Sequence, residues 1–211
     1  KAVLLVLLDL SAAFDTVNHA LLTDTLKQFG VSGSALAWFS SYLQSRQQAV
    51  KIKQITSGPR QLTCGVPQGS VLGPLLFTVY TASLGSLLRS TGCNYHLYAD
   101  DTQLWATCKS SELPQAINHL QECASLIQSW MIKHQLKLNE DKTEYLVISS
   151  TAVARNLQPS PLVIGGHSIS SSKSARNLGV IMDSHSSMEA HVSSICKSSY
   201  THIYTLQKIK K

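Results

Sequence analysis

The feature that most constrains the fold of this chain is the apolar run Ala2–Leu8, which ends abruptly at Asp9. A continuous apolar run of this length is typical of a strand that is covered on both faces, whereas a strand with one wet face alternates apolar and polar residues. The run therefore predicts a central strand. It is far shorter than the roughly 20 apolar residues that cross a bilayer, so we expect neither a membrane span nor a membrane partner.

The composition excludes several classes of protein. Of the 211 residues, 44% are hydrophobic and 14% are charged, which suits one packed domain and excludes intrinsic disorder. The five cysteines form no close pair, and their odd number excludes a simple disulfide scaffold, so a reducing, intracellular compartment is expected. The chain begins with neither Met nor a signal peptide, and we expect it to be an excerpt of a longer protein.

Positive charge is concentrated in part of the chain. The net charge is +6, and no acidic residue lies between Asp24 and Asp100. A second basic zone, which includes Lys210 and Lys211, closes the sequence. Such a field favours a polyanion such as nucleic acid, although many proteins of this modest charge bind none.

Helical periodicity predicts four helices. The first covers residues 18–29, with Asn18 as N-cap, Phe29 on the buried face and Gly30 as the stop. The second follows Ser32, and the third covers residues 75–88 after Pro74 in its first turn. The fourth, over residues 113–134, has the clearest period.

Strands are predicted at residues 48–55, 95–98, 103–107 and 145–148, and a hairpin over 162–169. In the first of these, Val50 and Ile52 share one face and Lys51 and Lys53 the other. Residues 150–161 and 170–174, rich in Ser, Thr and Pro, are expected to be loops. Strands and helices without strict βαβ alternation indicate an α+β fold with a largely antiparallel sheet and packed helices.

Three carboxylates are candidate metal ligands. Asp9 ends the apolar strand, and Asp100 and Asp101 lie in a turn between two apolar segments. If the strands are neighbours, the carboxylates offer the hard oxygen ligands that Mg²⁺ prefers, and two ions about 3.5–4 Å apart could bracket a phosphoryl transfer. A lone Asp is more often a cap, and paired Asp residues are common in surface turns, so the pattern alone leaves both interpretations open.

Several longer motifs occur together and in order. They read DLSAAFD at 9–15, GVPQGSVLGPLLF at 65–77, YADD at 98–101, LKLNEDKTEYLVIS at 136–149 and NLGVIMD at 177–183. With this set the chain resembles the reverse transcriptase domain of LINE-type, non-LTR retrotransposons over nearly its whole length. The resemblance implies a polymerase palm with partial fingers and an incomplete thumb. It also implies RNA-directed DNA polymerase activity that extends a DNA primer on an RNA template during retrotransposition.

The resemblance assigns the catalytic groups. It makes Asp9, Asp100 and Asp101 the carboxylates that bind two Mg²⁺ ions, with Mn²⁺ as a possible substitute. It makes Lys142 the lysine that donates a proton to the leaving pyrophosphate, although a lysine beside Glu140 and Asp141 is equally compatible with a solvated surface.

The resemblance also implies contacts with the incoming deoxynucleoside triphosphate, from Leu10, Phe14, Gln68 and Gly69. The ring of Phe14 would lie beneath the sugar and clash with a ribose 2′-hydroxyl. Considered without the family, Phe14 is an ordinary core residue. Gly69 allows a close approach of the backbone to a ligand, and Pro67 stiffens the turn before it.

The basic residues Arg46, Lys51, Lys53 and Arg60 are expected to contact template or primer phosphates, which would supply sequence-independent affinity. The alternative is a solvated edge strand protected by lysines, and the sequence does not decide between the two. The resemblance implies a location in nucleus and cytoplasm. The oligomeric state stays open.

The pair His119 and Cys123 stands four residues apart on the fourth helix, but no second pair has ligand spacing. We interpret both as core or boundary residues, and Trp130 and Met131 as core.

The resemblance implies a division of the chain. Residues 1–150 correspond to the palm core with part of the fingers, and residues 151–211 to the end of the palm, the primer-grip hairpin and the beginning of the thumb. The upstream fingers, the rest of the thumb and an endonuclease domain are absent from this stretch, so weak or undetectable polymerase activity is expected from it alone. An inactive retrotransposon-derived remnant and a non-catalytic RNA-binding module are the alternatives.

Overall fold

The computed structural model describes residues 1–209, so Lys210 and Lys211 of the second basic zone lie outside it. None of the helices in this range combines the length and the hydropathy that crossing a membrane requires. The elements in chain order are β1 (Ala2–Leu8), β2 (Leu10–Ser11), α1 (His19–Gln28), α2 (Gly33–Leu43), β3 (Gln47–Gln48), β4 (Lys51–Ile52), β5 (Ile55–Thr56), β6 (Arg60–Gln61), α3 (Leu72–Thr91), β7 (Asn94–Tyr98), β8 (Asp101–Cys108), α4 (Leu113–Lys133), β9 (Lys137–Leu138), β10 (Glu144–Ser149), α5 (Thr151–Ala154), β11 (Leu162–Ile164), β12 (His167–Ile169), β13 (Ser171–Ser172), β14 (Ser174–Asn177), β15 (Val180–Asp183) and α6 (Glu189–Ile209).

A five-stranded sheet in the order β13-β10-β1-β8-β7 organises the molecule. The apolar strand β1 is its centre and pairs antiparallel with β10 on one side and β8 on the other. Only the short edge strand β13 runs parallel to its neighbour. The predicted central strand and the largely antiparallel sheet are both confirmed.

Both faces of β1 are covered, which explains its unbroken apolar sequence. Leu4, Val6 and Leu8 belong to the main core, which also contains buried side chains of α3 and α4. Leu5 points into a smaller cluster on the opposite face, together with Leu146 and Ala175. Each fully buried leucine contributes about 1.5–3 kcal/mol to folding. The core therefore holds β1 in place, and with it Asp9, which follows the strand.

The predicted helices form with small shifts at their ends. Asn18 caps α1, since its side-chain oxygen accepts a hydrogen bond of 3.0 Å from the Leu21 N–H. Trp130 and Met131 on α4 are buried, as expected, and the indole N–H of Trp130 donates to the Ser83 hydroxyl of α3 at 3.1 Å. Helix α3 begins three residues before the predicted start, so Pro74 still lies in its first turn.

Several local predictions are wrong. The single strand expected over 48–55 does not form, because Lys53 adopts a φ of 55° and reverses the chain between β4 and β5. Residues 47–61 instead contain the four two-residue strands β3 to β6. Val50 and Ile52 are exposed, since no sheet or helix covers them, and Phe29 at the end of α1 is exposed as well. The loop expected over 150–161 contains α5, and that over 170–174 contains β13 and the first residue of β14.

Candidate active site

The three candidate carboxylates meet at one end of the central sheet. Leu8, the last residue of β1, pairs with Thr102 of β8, which brings Asp9 opposite Asp101, the first residue of β8. In the β7–β8 hairpin Tyr98 pairs with Asp101, and Ala99 and Asp100 form the turn. Side chains some ninety residues apart in the sequence are therefore held together by strand pairing.

The turn that carries Asp100 has a strained backbone. Ala99 adopts a φ of 52°, in the left-handed region that favours glycine. A residue with a side chain in this region costs about 1–2 kcal/mol, and such strain is often stored at functional sites. A positive φ at the first of two central residues suits a tight two-residue hairpin turn, so the strain keeps Asp100 at the tip.

The electrostatics of Asp101 reflect its neighbours. Burial raises the pKa of Asp101, and the nearby charges of Asp100 and Asp9 raise this pKa further. All three causes disfavour the ionised carboxylate. A bound cation would reverse the effect of the two neighbouring charges, because it attracts the negative form.

Asp9 is positioned by a segment distant in sequence. The β2–β9 pairing brings Asn139 close, and its side-chain N–H donates to Asp9 Oδ2 at 3.2 Å, while its backbone N–H donates to the Asp9 carbonyl at 2.9 Å. Lys142 follows on the same turn, with Nζ 3.8 Å from Asp9 Oδ2 and its side chain 71% exposed. Sequence reasoning identified Lys142 but missed Asn139, because nothing local to LKLNEDK indicates a strand partner for Asp9.

A cavity of about 340 Å³ opens beside the carboxylates. Its lining contains Phe14, Gln68, Gly69, Pro74 and Asp100. Four of these five residues were selected from the sequence. The ring of Phe14 also stacks on Phe77 of α3, with centroids 4.8 Å apart, so Phe14 contacts both the core and the cavity.

The loop that carries Gln68 and Gly69 is anchored at its start. The backbone N–H of Gly65 donates to the Val17 carbonyl, and the N–H of Val66 donates to the Phe14 carbonyl, each at 2.8 Å. Gly65 itself has a φ of 87°, and a Cβ there would lie 2.9 Å from the Asp15 carbonyl oxygen, so only glycine fits.

Two side chains converge on the Gly65 carbonyl. Arg46 Nη1 donates to this oxygen at 2.8 Å, and His19 Nε2 lies at the same distance. Arg46, selected from the sequence as a phosphate contact, is therefore engaged in holding the loop. His19 was not identified from the sequence, because no pattern links it to a loop that lies 46 residues away.

A serine fixes the far end of the same loop. Ser70 Oγ donates to the Pro67 carbonyl at 2.8 Å and accepts from the Gly73 N–H at 2.9 Å at the start of α3. A Cβ at Gly73 would lie 2.6 Å from the Pro67 carbonyl oxygen. The loop between Pro67 and Gly73 is thus closed on itself, which presents Gln68 and Gly69 to the cavity.

Other selected residues lie apart from the cavity. The side chain of Leu10 is buried in the main core, so only its backbone is available to a nucleotide. Lys51, Lys53 and Arg60 are exposed on and between the short strands β4 to β6, and none of them forms an ion pair with a carboxylate among residues 1–209.

The residues present fit a divalent cation. Three carboxylates share one end of the sheet, and the cation found beside them in the described part of the chain is the single Lys142. Carboxylate oxygens are hard ligands suited to Mg²⁺ and similar ions.

Comparison with known proteins agrees with this geometry. A family model described as reverse transcriptase (RNA-dependent DNA polymerase) matches residues 1–182. The probable RNA-directed DNA polymerase from transposon BS of Drosophila melanogaster is 29% identical over 96% of this chain and 22% of its own length. The RNA-directed DNA polymerase from mobile element jockey of Drosophila funebris is 29% identical over 93% of this chain and 21% of its own length. The chain thus spans about a fifth of these relatives.

Solved structures show the same fold. Apo telomerase from Candida tropicalis, truncated from its C-terminal domain, superposes with a TM-score of 0.60 at 12% identity, over 88% of this chain and 35% of that one. Telomerase from Candida albicans in complex with a fragment of telomeric RNA superposes with a TM-score of 0.55 at 14% identity, over 88% of this chain and 32% of that one. The predicted palm fold and the resemblance to LINE-type elements are confirmed, and the chain belongs to the reverse transcriptase (RNA-dependent DNA polymerase) family.

Proposed function

We propose that this chain is the catalytic portion of an RNA-directed DNA polymerase, which copies an RNA template by extending a DNA primer with deoxynucleoside triphosphates. One observation carries the proposal: Asp9 meets Asp100 and Asp101 beside a cavity lined by Phe14 and Gln68. Family membership supports the reaction class. Because the chain spans 22% of its first relative, the activity is proposed for the protein that contains it.

The three carboxylates hold divalent ions in this proposal, Mg²⁺ in the cell and Mn²⁺ as a substitute. When bound, two such ions supply Lewis-acid polarisation of the attacking hydroxyl and charge stabilisation at the leaving pyrophosphate. Asn139 orients Asp9 through the hydrogen bond of 3.2 Å to Oδ2, which leaves the other carboxylate oxygen free for a ligand.

The remaining residues bind the nucleotide and the leaving group. Phe14, braced by Phe77, lies against the sugar and excludes a 2′-hydroxyl. Gln68 and the backbone of Gly69 contact the nucleotide and the template base, and Leu10 contributes its backbone. Lys142, whose largely exposed side chain lies beside Asp9, donates a proton to the pyrophosphate.

Template and primer bind through phosphate contacts. Lys51, Lys53 and Arg60 are exposed, and among residues 1–209 no carboxylate neutralises them, which supports electrostatic binding of nucleic acid. Arg46 contributes by holding the loop at Gly65. A telomerase of the same fold has been solved with an RNA fragment, which supports an RNA partner for the fold.

We assign residues 1–150 to the palm core with part of the fingers. Residues 151–211 are assigned to the end of the palm, the primer grip and the beginning of the thumb. The β14–β15 hairpin supports this assignment, because it packs against β10 of the central sheet and leads directly into α6.

Primer extension on an RNA template tests the proposal. The protein containing this chain is compared with its Asp100→Asn and Asp101→Asn variants, with Asp24→Asn on the exposed surface of α1 as the matched control. Both site variants should lose extension by at least about 100-fold, because each removes a negative charge that holds the cations, and the cations stabilise the transition state. RNA binding should persist. The control should extend normally.

Two results would overturn the proposal. Equal extension by the site variants and the control would remove the carboxylates from catalysis. RNA binding without extension by the unsubstituted protein, with Mg²⁺ or Mn²⁺, would favour a non-catalytic binding module or an inactive remnant.

A further inference from the structure

A second group of metal-binding atoms lies at the opposite end of β7. Cys93 directly precedes this strand, and His119 and Cys123 lie one turn apart on α4. One ligand atom from each, two sulfurs and an imidazole nitrogen, all lie within 4.8 Å of one another. The sequence suggested only the pair on α4, and Cys93 joins it through the packing of the sheet on that helix.

The environment of this group differs from ordinary core packing. The Cys93 and Cys123 side chains are 7% and 1% exposed, whereas His119 is half-buried at the edge of the group. His119 Nε2 lies 3.9 Å from Cys123 Sγ, so the imidazole presents a nitrogen to the thiol. An ordinary buried thiol packs against apolar groups, with no such nitrogen directed at it.

The spacing is close to that of a tetrahedral site. Zinc binds sulfur at about 2.3 Å and imidazole nitrogen at about 2.0–2.1 Å, which places neighbouring ligand atoms roughly 3.5–3.8 Å apart. The 3.9 Å between His119 and Cys123 nearly satisfies this, and any other pair needs to close by at most about 1 Å.

We propose that Cys93, His119 and Cys123 bind one Zn²⁺ ion. Sulfur and imidazole are the donors that zinc prefers, whereas Mg²⁺ prefers oxygen. Binding releases the proton of each thiol, and the two thiolates neutralise the ion, so the buried site carries no net charge. A fourth ligand enters at the half-buried side of His119.

The site joins the segment between α3 and β7 to α4, which also contacts α3 through packing and through the Trp130–Ser83 hydrogen bond. The ion would tie the junction of α3 and β7, where Gly92 has a φ of 69°, to the middle of α4. Because Cys93 and Cys123 are buried and lie at the end of β7 opposite the carboxylates, the ion has a structural effect.

Cobalt substitution tests the site directly. The untagged chain is reduced, freed of metal and titrated with Co²⁺, whose thiolate charge-transfer and tetrahedral d–d absorption bands report ligand type and geometry. We expect saturation at one equivalent and displacement of Co²⁺ by Zn²⁺. Cys123→Ser should lose the charge-transfer band in part or whole, and His119→Asn, at a half-buried position that tolerates the change, should lose the tetrahedral bands.

Cys108→Ser is the matched control, since Cys108 is as buried as Cys93 but lies outside the group. It should bind Co²⁺ with the unsubstituted spectrum, and circular dichroism should confirm that every variant is folded. The proposal is overturned if the folded chain gives no thiolate band. It is equally overturned if His119→Asn binds like the unsubstituted chain, or if Cys93 and Cys123 form a disulfide under reducing conditions.

Discussion

The two ends of β7 present different sets of donor atoms. At its end, Asp100 and Asp101 join Asp9 in a half-buried group of oxygen donors. At its beginning, Cys93 joins His119 and Cys123 in a largely buried group of sulfur and nitrogen donors. The three sulfur and nitrogen atoms of the second group all lie within 4.8 Å of one another.

The two groups differ in how their members affect one another. Thiols and a neutral imidazole do not repel one another and can pack closely in a core. Carboxylates do repel: burial raises the pKa of Asp101, and the charges of Asp100 and Asp9 raise this pKa further. The sulfur and nitrogen donors therefore lie close together without an ion, whereas a cation between the carboxylates would offset their repulsion.

The largest expected effect is at Asp9. Asp9→Asn keeps the shape of the side chain and the contact with Asn139 but removes the charge, so primer extension should fall by at least about 100-fold. Rates are measured with saturating template and primer in Mg²⁺. Undiminished extension, with Asp24→Asn as reference, would separate Asp9 from the site.

Binding of Zn²⁺ to Cys93, His119 and Cys123, at the beginning of β7, should stabilise the fold. At a free Zn²⁺ concentration of about 100 times Kd, binding adds about 2.7 kcal/mol, which raises Tm by roughly 5–10 °C for a chain of this size. Differential scanning calorimetry should show this shift for the unsubstituted chain and Cys108→Ser. A similar shift in Cys93→Ser would contradict the assignment of Cys93.

The two left-handed residues that bracket β7 should respond in opposite directions. Gly92→Ala places a side chain at a φ of 69° and should destabilise the fold by about 1 kcal/mol. Ala99→Gly relieves strain at 52°, partly offset by chain entropy, and should stabilise it by about 0.5 kcal/mol. Urea denaturation measures the change in the free energy of unfolding for each variant. If both variants are destabilised, the backbone at Ala99 is not strained.

The smallest effect concerns pH. Because the folded chain holds the proton of Asp101 more tightly than the unfolded chain, the stability that this group contributes is lost as pH rises above about 4. In the presence of a metal chelator, Asp101→Asn should therefore have a slightly higher free energy of unfolding than the unsubstituted chain at pH 7. This difference should shrink as the pH is lowered towards 4. A constant difference across this range would show that the pKa of Asp101 is not raised.

Local sequence patterns predicted β1 and α4, because each element has the same surroundings along its whole length. The unbroken apolar run of β1 indicated a strand covered on both faces, and the helical period of α4 indicated one buried face. The region 48–55 was mistaken for a single strand because alternation predicts two faces but cannot show whether anything covers them. A positive φ at Lys53 has no comparable sequence signal.

The sequence motifs identified candidate site residues but not the residues that hold them in position. Motifs identified Asp9, Phe14 and Gln68, whose residue types the chemistry requires. Asn139 and Cys93 meet their neighbours through strand pairing and helix packing, and no local sequence pattern records those contacts.

Anomalous diffraction from crystals grown with Mn²⁺, template and primer would locate ions at the three carboxylates. Manganese peaks are expected within bonding distance of Asp9 and of Asp100 or Asp101. If manganese binds elsewhere and these carboxylates are free of metal in a complex that holds primer and nucleotide, they are not metal ligands.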